Sequence, residues 1–260
     1  MGKKYVRDFK VIENTRLNLT NFRIKLQSEA GLPVMFPGQF ANIEVLNSDE
    51  VFLRRPFSVF EVDYNQNTIS FIIKILGKGS LKLTSLQLND TVNLIFPLGK
   101  GFTLPAKSDK VLLVGGGSGV APMLFLAKEA DLNIEQADII LGARTKDDLV
   151  YADHYKKYCK VHYTTEDGSK GEKGLVTQHR LFKQGLAQYN KIYTCGPLPM
   201  MKAVAGLAEN AGIFCEVSLE NLMACGFGVC LCCIEPTTDG NKCVCTDGPV
   251  FNINDLEWGI

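Results

Sequence analysis

The stretch Ala224 to Pro249, ACGFGVCLCCIEPTTDGNKCVCTDGP, constrains this chain more than any other. Six of the nine cysteines, Cys225, Cys230, Cys232, Cys233, Cys243 and Cys245, crowd into it among glycines. From about Ser218 onward neither the helical nor the strand period holds, and the segment is too short to bury a core of its own. Such a segment has to be organised around something it binds.

The spacing Cys225-x4-Cys230-x2-Cys233-x11-Cys245 matches the C-x4-C-x2-C…C arrangement of plant-type 2Fe–2S sites. Three thiolates so close together must wrap a loop around the irons, and Gly226 and Gly228 permit the positive-φ turns that wrapping demands. Exposed N–H groups of that loop can donate to cluster sulfurs. The alternatives are a tetrahedral zinc site and plain reduced thiols. Zinc favours two C-x2-4-C knuckles, and Cys243-x-Cys245 is too tight for one. Using Cys232 would break the x2 spacing. Cys159, Cys195 and Cys215 lie outside the cluster and read as small buried residues.

The N-terminal stretch MGKKYVRDFKVIENTRLNLT is charged where a signal peptide needs an apolar core, so a cytoplasmic chain without disulfides is expected. The formal net charge is +0 and no long Lys/Arg run occurs, which argues against nucleic acid and anionic membranes as partners. Val111 to Ala127 carries no charge, but three consecutive glycines and a proline interrupt it. It reads as strand, turn and helix, and no membrane span is expected.

Residues 1 to about 100 read mainly as strands: NFRIKLQS and QFANIEVL alternate, TISFIIKIL is rich in Ile and Phe, and turn clusters separate them. Six or so such strands close into a barrel or sandwich. After PLGKGFTLPAKSDK the texture changes. Apolar runs such as KVLLVGGGSG, ADIILGAR, CKVHYTT and NKIYTCGP alternate with helical patterns, which implies a parallel sheet covered on both faces. The boundary falls near residue 105.

Gly115, Gly116, Gly117 and Gly119 end a strand just before a helix beginning near Ala121, where backbone N–H groups can face a pyrophosphate. A tight packing turn would use the same glycines. Cys195-Gly196-Pro197 repeats the arrangement on the same sheet edge. In FLRRPFSVFEV, two adjacent arginines beside an apolar strand suit a diphosphate, or form a solvated turn. KILGKGSLKL supplies a further Gly-containing turn at Ser80.

These motifs carry a resemblance. Arg55-Pro56-Phe57-Ser58 resembles the R-x-Y-S/T flavin motif of the ferredoxin–NADP reductase superfamily, GGGSGVAP is similar to its nicotinamide-nucleotide motif, and CGP to its nicotinamide-side motif, all in the family's order. LENLMACGFGVCLCC followed by CTDGPVF resembles the electron-transfer subunits of the NAD-linked, type B dihydroorotate dehydrogenases of pyrimidine biosynthesis, and the match covers essentially the whole chain. The resemblance implies Cys225, Cys230, Cys233 and Cys245 as iron ligands, the last because it directly precedes TDGPVF. It implies Arg55 on an FAD diphosphate, Ser58 near flavin N5, Ile72, Ile73 and Lys74 along the flavin edge, and Gly79 and Ser80 on the phosphates. Phe57 stands at the family's Tyr position, which loses a hydroxyl contact and leaves stacking. The superfamily's C-terminal aromatic cap on the flavin has no evident counterpart.

The implied architecture is an antiparallel FAD-binding barrel (1–104), a parallel doubly wound NAD-binding domain (105–217) and a C-terminal 2Fe–2S segment (218–260). The implied activity passes electrons from dihydroorotate, through an FMN-containing catalytic subunit in a heterotetramer of two of each, across the cluster and FAD to NAD+. No catalytic side chain for dihydroorotate is expected here: His154, His162 and His179 are scattered and read as surface or packing residues. A stand-alone NAD(P)H reductase of ferredoxin or another carrier is the alternative, and a redox- or metal-sensing regulator a third. Asp147 and Asp148 favour NAD over NADP by repelling a 2′-phosphate, with Arg144 and Lys146 opposing. Phe227, Val229 and Leu231 either form an exposed interface or pack inward.

Overall fold

A computed structural model describes residues 2–46 and 48–259. The first seven strands are β1 (Tyr5–Arg16), β2 (Asn21–Gln27), β3 (Phe40–Ile43), β4 (Arg55–Ser58), β5 (Glu61–Asp63), β6 (Thr68–Lys74) and β7 (Thr91–Leu98). They pair antiparallel in the order β4-β3-β7-β1-β2-β6-β5. Strict alternation decides which face is inside: in β7, Val92, Leu94, Phe96 and Leu98 are buried while their neighbours are not. The two ends of the sheet, β4 and β5, are joined by Val59 and Phe60 alone. The Val59 N–H donates to the Gln39 carbonyl and the Phe60 N–H to the Ser70 carbonyl, each at 3.0 Å. Those bonds curl the sheet onto itself.

A short helix, α1 (Lys78–Leu83), follows β6. The second sheet contains β8 (Val111–Gly116), β9 (Ala137–Ala143), β10 (Lys160–Thr165), β11 (Glu172–Lys173), β12 (Lys191–Cys195) and β13 (Phe214–Ser218), all parallel, with helices α2 (Val120–Glu129), α3 (Arg180–Lys183) and α4 (Leu198–Asn210). The order β11-β10-β9-β8-β12-β13 reverses between β8 and β12. The crevice beyond the carboxyl ends of those two strands is where an open α/β sheet binds ligands.

The tail forms a hairpin, β14 (Ile234–Thr237) and β15 (Gly240–Cys243), and then β16 (Val250–Asn252), which adds antiparallel to β13. Val244, Phe251, Ile253, Leu256 and Trp258 join the α/β core. A segment expected to be organised by a bound group is thus also organised by its neighbour's sheet.

Helix α2 welds the two halves together. Val120 to Ala127 are all buried, because one side of the helix covers the parallel sheet and the other meets the barrel. Phe125 inserts into the barrel core, Lys128 Nζ lies 2.9 Å from Glu61 Oε1, and the Phe60 and Tyr151 rings meet at 4.9 Å. Among the described residues no helix is long and apolar enough to cross a membrane.

Candidate functional site

The cleft between barrel and α/β sheet collects the two glycine turns. Gly117 (φ +58°) has an open neighbourhood, where an added β-carbon would meet only Lys74 Nζ, at 3.8 Å. Its companions are glycines for close packing. A β-carbon on Gly115 would lie 3.1 Å from Val120 Cγ1, one on Gly116 2.6 Å from Met200 Sδ, and one on Gly119 would overlap the Cys195 carbonyl. A β-carbon on Gly196 (φ +152°) would lie 3.0 Å from the Gly116 α-carbon. The two turns interlock, which neither motif reveals alone, and exposed Pro197 opens α4 beside them.

Cys195 is fully buried and burial pushes its thiol well up. Its Sγ lies 4.0 Å from Glu220 Oε1, a residue that sequence reasoning missed. Glu220 is exposed by surface area, yet it stands deep enough in the cleft for protein to enclose it. That enclosure raises its carboxyl, and Lys74 acts in the opposite direction.

On the barrel side the two arginines part company. Arg54 is held by protein, through Asn93 O at 2.9 Å, Asn93 Oδ1 at 2.8 Å and Glu44 at 3.8 Å. Arg55 turns toward α1, where a β-carbon on Gly79 would stand 2.6 Å from its Nε, while its Nη1 donates to the Leu53 and Arg54 carbonyls at 2.8 and 3.3 Å. The Ser80 hydroxyl closes the turn into α1: it accepts from the Leu76 and Gly77 N–H groups at 2.9 and 3.1 Å and donates to Gly77 O at 3.0 Å. Phe57 leans on the barrel core, and Pro56 and Ser58 are half-buried. Ile73 points into the barrel core and Ile72 into the seam under α2, so of the expected flavin-edge residues Lys74 alone brings a polar head to the cleft.

The cysteine loop fits a binuclear centre. The thiols neighbour one another in two pairs: the Cys230 thiol lowers Cys225, and the Cys233 thiol raises Cys245. The x11 spacing is explained by the β14–β15 hairpin, which leaves from Cys233 and returns to Cys245, where the Cys245 N–H donates to Cys233 Sγ at 3.4 Å. Positive φ at Gly226, Gly228 and Leu231 bends the loop. It directs the N–H groups of Phe227, Val229 and Cys230 onto Cys225 Sγ at 3.4–3.5 Å. Burial pushes that thiol up, but the three N–H groups and the Cys230 thiol outweigh it and bring it down to about 6, a thiolate ready for metal. Burial and the Cys233 thiol push Cys245 up to about 12. Among the described residues no three His, Cys, Asp or Glu side chains converge as for one metal ion. The x4, x2 and x11 spacing, with a hairpin between Cys233 and Cys245, suits two irons better than one tetrahedral zinc. Cys232 is exposed and Cys243 lies on the hairpin opposite Ile234.

Leu222, Phe227, Val229 and Leu231 are 86%, 40%, 74% and 58% exposed. The apolar rim of the loop faces outward, not toward the barrel. A second missed residue, Asn42, is buried in β3 and its Nδ2 donates to the Cys225 carbonyl at 2.9 Å. A polar residue in the buried strand FANI was the available signal.

The histidines are less scattered than expected. His162 and His179 are buried with ring centres 5.2 Å apart. His162 Nε2 lies 2.6 Å from Asp138, and His179 Nε2 3.3 Å from Glu172. Exposed His154 meets the Tyr151 ring edge to face.

A curled antiparallel barrel beside a doubly wound sheet with its switch point at the cleft defines a flavin- and nicotinamide-dependent oxidoreductase fold. Family models agree: an oxidoreductase FAD-binding domain matches residues 8–102, an oxidoreductase NAD-binding domain 113–206, and the iron-sulfur cluster binding domain of dihydroorotate dehydrogenase B 220–257. The chain belongs to the family of dihydroorotate dehydrogenase B (NAD(+)) electron transfer subunits. Proteins of that name from Fusobacterium nucleatum and Clostridium perfringens are 35% and 36% identical, covering 97% and 96% of this chain and 98% and 97% of their own. Among solved structures, the NADH-dependent reduced ferredoxin-NADP oxidoreductase, described for flavin-based electron bifurcation, has a TM-score of 0.83 at 29% identity, over 96% of this chain and 90% of that one. The ferredoxin reductase of carbazole 1,9a-dioxygenase shares the fold, with a TM-score of 0.69 at 23% identity, over 81% and 67% of the two chains.

Proposed function

We propose that this chain is the electron-transfer subunit of an NAD-linked dihydroorotate dehydrogenase in pyrimidine biosynthesis. On this reading it takes electrons from a dihydroorotate-oxidising, FMN-containing catalytic subunit and passes them through a 2Fe–2S cluster and FAD to NAD+, in a cytoplasmic heterotetramer of two of each subunit. Flavin suits the task because it exchanges a hydride with nicotinamide and electrons singly with iron. Residues 1–104 would hold FAD, 105–217 NAD and 218–260 the cluster.

The side chains divide the work. Cys225, Cys230, Cys233 and Cys245 hold the irons, and the N–H groups on Cys225 stabilise its thiolate. Arg55 offers an anion its guanidinium at the turn into α1, and Gly117 opens backbone N–H groups to a dinucleotide phosphate. Lys74 Nζ stands beside the Gly117 turn and Glu220 beside Cys195, where both can meet a bound dinucleotide. The observation that carries the reading is the thiol loop itself: two thiol pairs inside a rim of exposed apolar residues. Such a rim fits a partner's surface. The test is co-purification with a flavoprotein partner together with dihydroorotate-dependent NAD+ reduction. A monomeric chain that turns over fully with a soluble carrier and binds no such partner would overturn it.

A further inference from the structure

Asn42 joins the two redox halves of the molecule. Its residue is 1% exposed in the middle of β3, where it faces Pro56 of the Arg55–Ser58 strand. The register of β3 against β7 slips between Phe40 and Asn42, an irregularity of the kind that re-aims a side chain. The re-aimed amide donates from Nδ2 to the Cys225 carbonyl at 2.9 Å. The contact is tight, because a β-carbon on Gly226 would overlap the Asn42 amide. Asn42 Oδ1 is buried without a hydrogen-bond partner. For stability alone that is a poor choice of residue, since an unpaired buried carbonyl is destabilising and an apolar side chain of the same shape is not.

We propose that Asn42 is a positioning residue that locks the thiol loop to the flavin-motif strand and so fixes the separation and orientation of the two redox sites. The inference rests on the reading of Cys225 as an iron ligand. Electron transfer weakens steeply with distance, so a loop free to swing would slow it. The hydrogen bond also polarises the Cys225–Gly226 peptide, and the N–H of that trans peptide points away from β3.

The experiment compares Asn42→Ala and Asn42→Leu with the native chain. The expected result is unchanged FAD and iron content and unchanged NADH reduction of the flavin. The electron-paramagnetic signal of the reduced cluster should appear about tenfold more slowly, the order seen when a supporting contact to a metal ligand is lost. In the cluster-free chain the amides of residues 226–230 should exchange hydrogen about tenfold faster. Both variants lose the donor to the Cys225 carbonyl and should melt lower, whereas a purely structural role would lower melting and leave the reduction rate of the cluster native. Native cluster kinetics and native exchange in both variants, or loss of FAD from both, overturns the proposal. Iron retained in Cys225→Ser overturns the ligand assignment instead.

Discussion

The α-carbon of Gly119 rests against the carbonyl of Cys195, leaving no room between the turn after β8 and the turn after β12 for even one methyl group. Gly119→Ala should therefore cost at or above roughly 3 kcal/mol, the upper range for overpacking. Gly117→Ala meets open space and carries only the left-handed backbone penalty, about 1–2 kcal/mol, but it should raise KM for NADH by crowding the cleft. Thermal unfolding and steady-state kinetics of the two variants separate these roles.

Single Ser replacements of Cys225, Cys230, Cys233 or Cys245 should abolish or strongly perturb the visible cluster spectrum, because each thiol pair loses a member. Cys232→Ser and Cys243→Ser should retain about two irons per chain. Iron analysis with absorption spectra decides, and a normal cluster in Cys245→Ser would move the fourth ligand elsewhere.

Phe227→Asp or Leu231→Asp should leave FAD and iron bound while weakening association with the catalytic partner. Both side chains are exposed on the loop rim, so neither change removes core packing, while each places a charge where an interface excludes water. Pull-down affinity and dihydroorotate-dependent NAD+ reduction should fall together.

Acid should unfold the α/β domain in two stages. Burial lowers His179 from its ordinary 6.5, although Glu172 opposes, so its contribution is whole above pH 6.5 and shrinks as pH falls below that. Burial pushes the Asp138 carboxyl up, but hydrogen bonds from His162 and Tyr189 outweigh it and hold it below 3.8. Its share is lost only at still lower pH. His179 Nδ1 accepts from the Leu181 N–H, and Asn can replace that cap. Denaturant titrations at pH 7.5 and 5 should show His179→Asn losing the first stage and keeping the second.

Asp147→Ala with Asp148→Ala should raise catalytic efficiency with NADPH relative to NADH. The pair follows β9 next to exposed Arg144 and Lys146, with Asp148 Oδ2 3.3 Å from Thr145 Oγ1. Comparable efficiency with the two coenzymes in the native chain would remove the basis for the claim.

Local pattern made much of this legible. The alternation of NFRIKLQS became β2, the apolar run before GGGSG became the central strand β8, and the Cys-rich tail matches an iron-sulfur cluster binding domain. What stayed hidden depends on contacts far apart in sequence. Asn42 and Cys225 lie 183 positions apart. Glu220 carries no local mark that separates it from other acids, and its meaning comes from Cys195 and Lys74. The bonds by which the Ser80 hydroxyl closes its own turn are equally invisible in KILGKGSLKL. Strand β16 is three residues long, too short for any period to announce, and only the open edge of β13 gives it a place.

The outer edge of β13 is covered by β16, and the connection between the two strands runs through all four paired thiols. Iron captured by those thiols divides that connection into short loops and lowers the entropy lost in closing it. A chain made without iron leaves β13 more often as a bare strand on an apolar sheet, a template for pairing with other chains. Solubility of the subunit made with and without iron should then differ, because the same cysteines that would take the metal close the edge of the sheet they pack on.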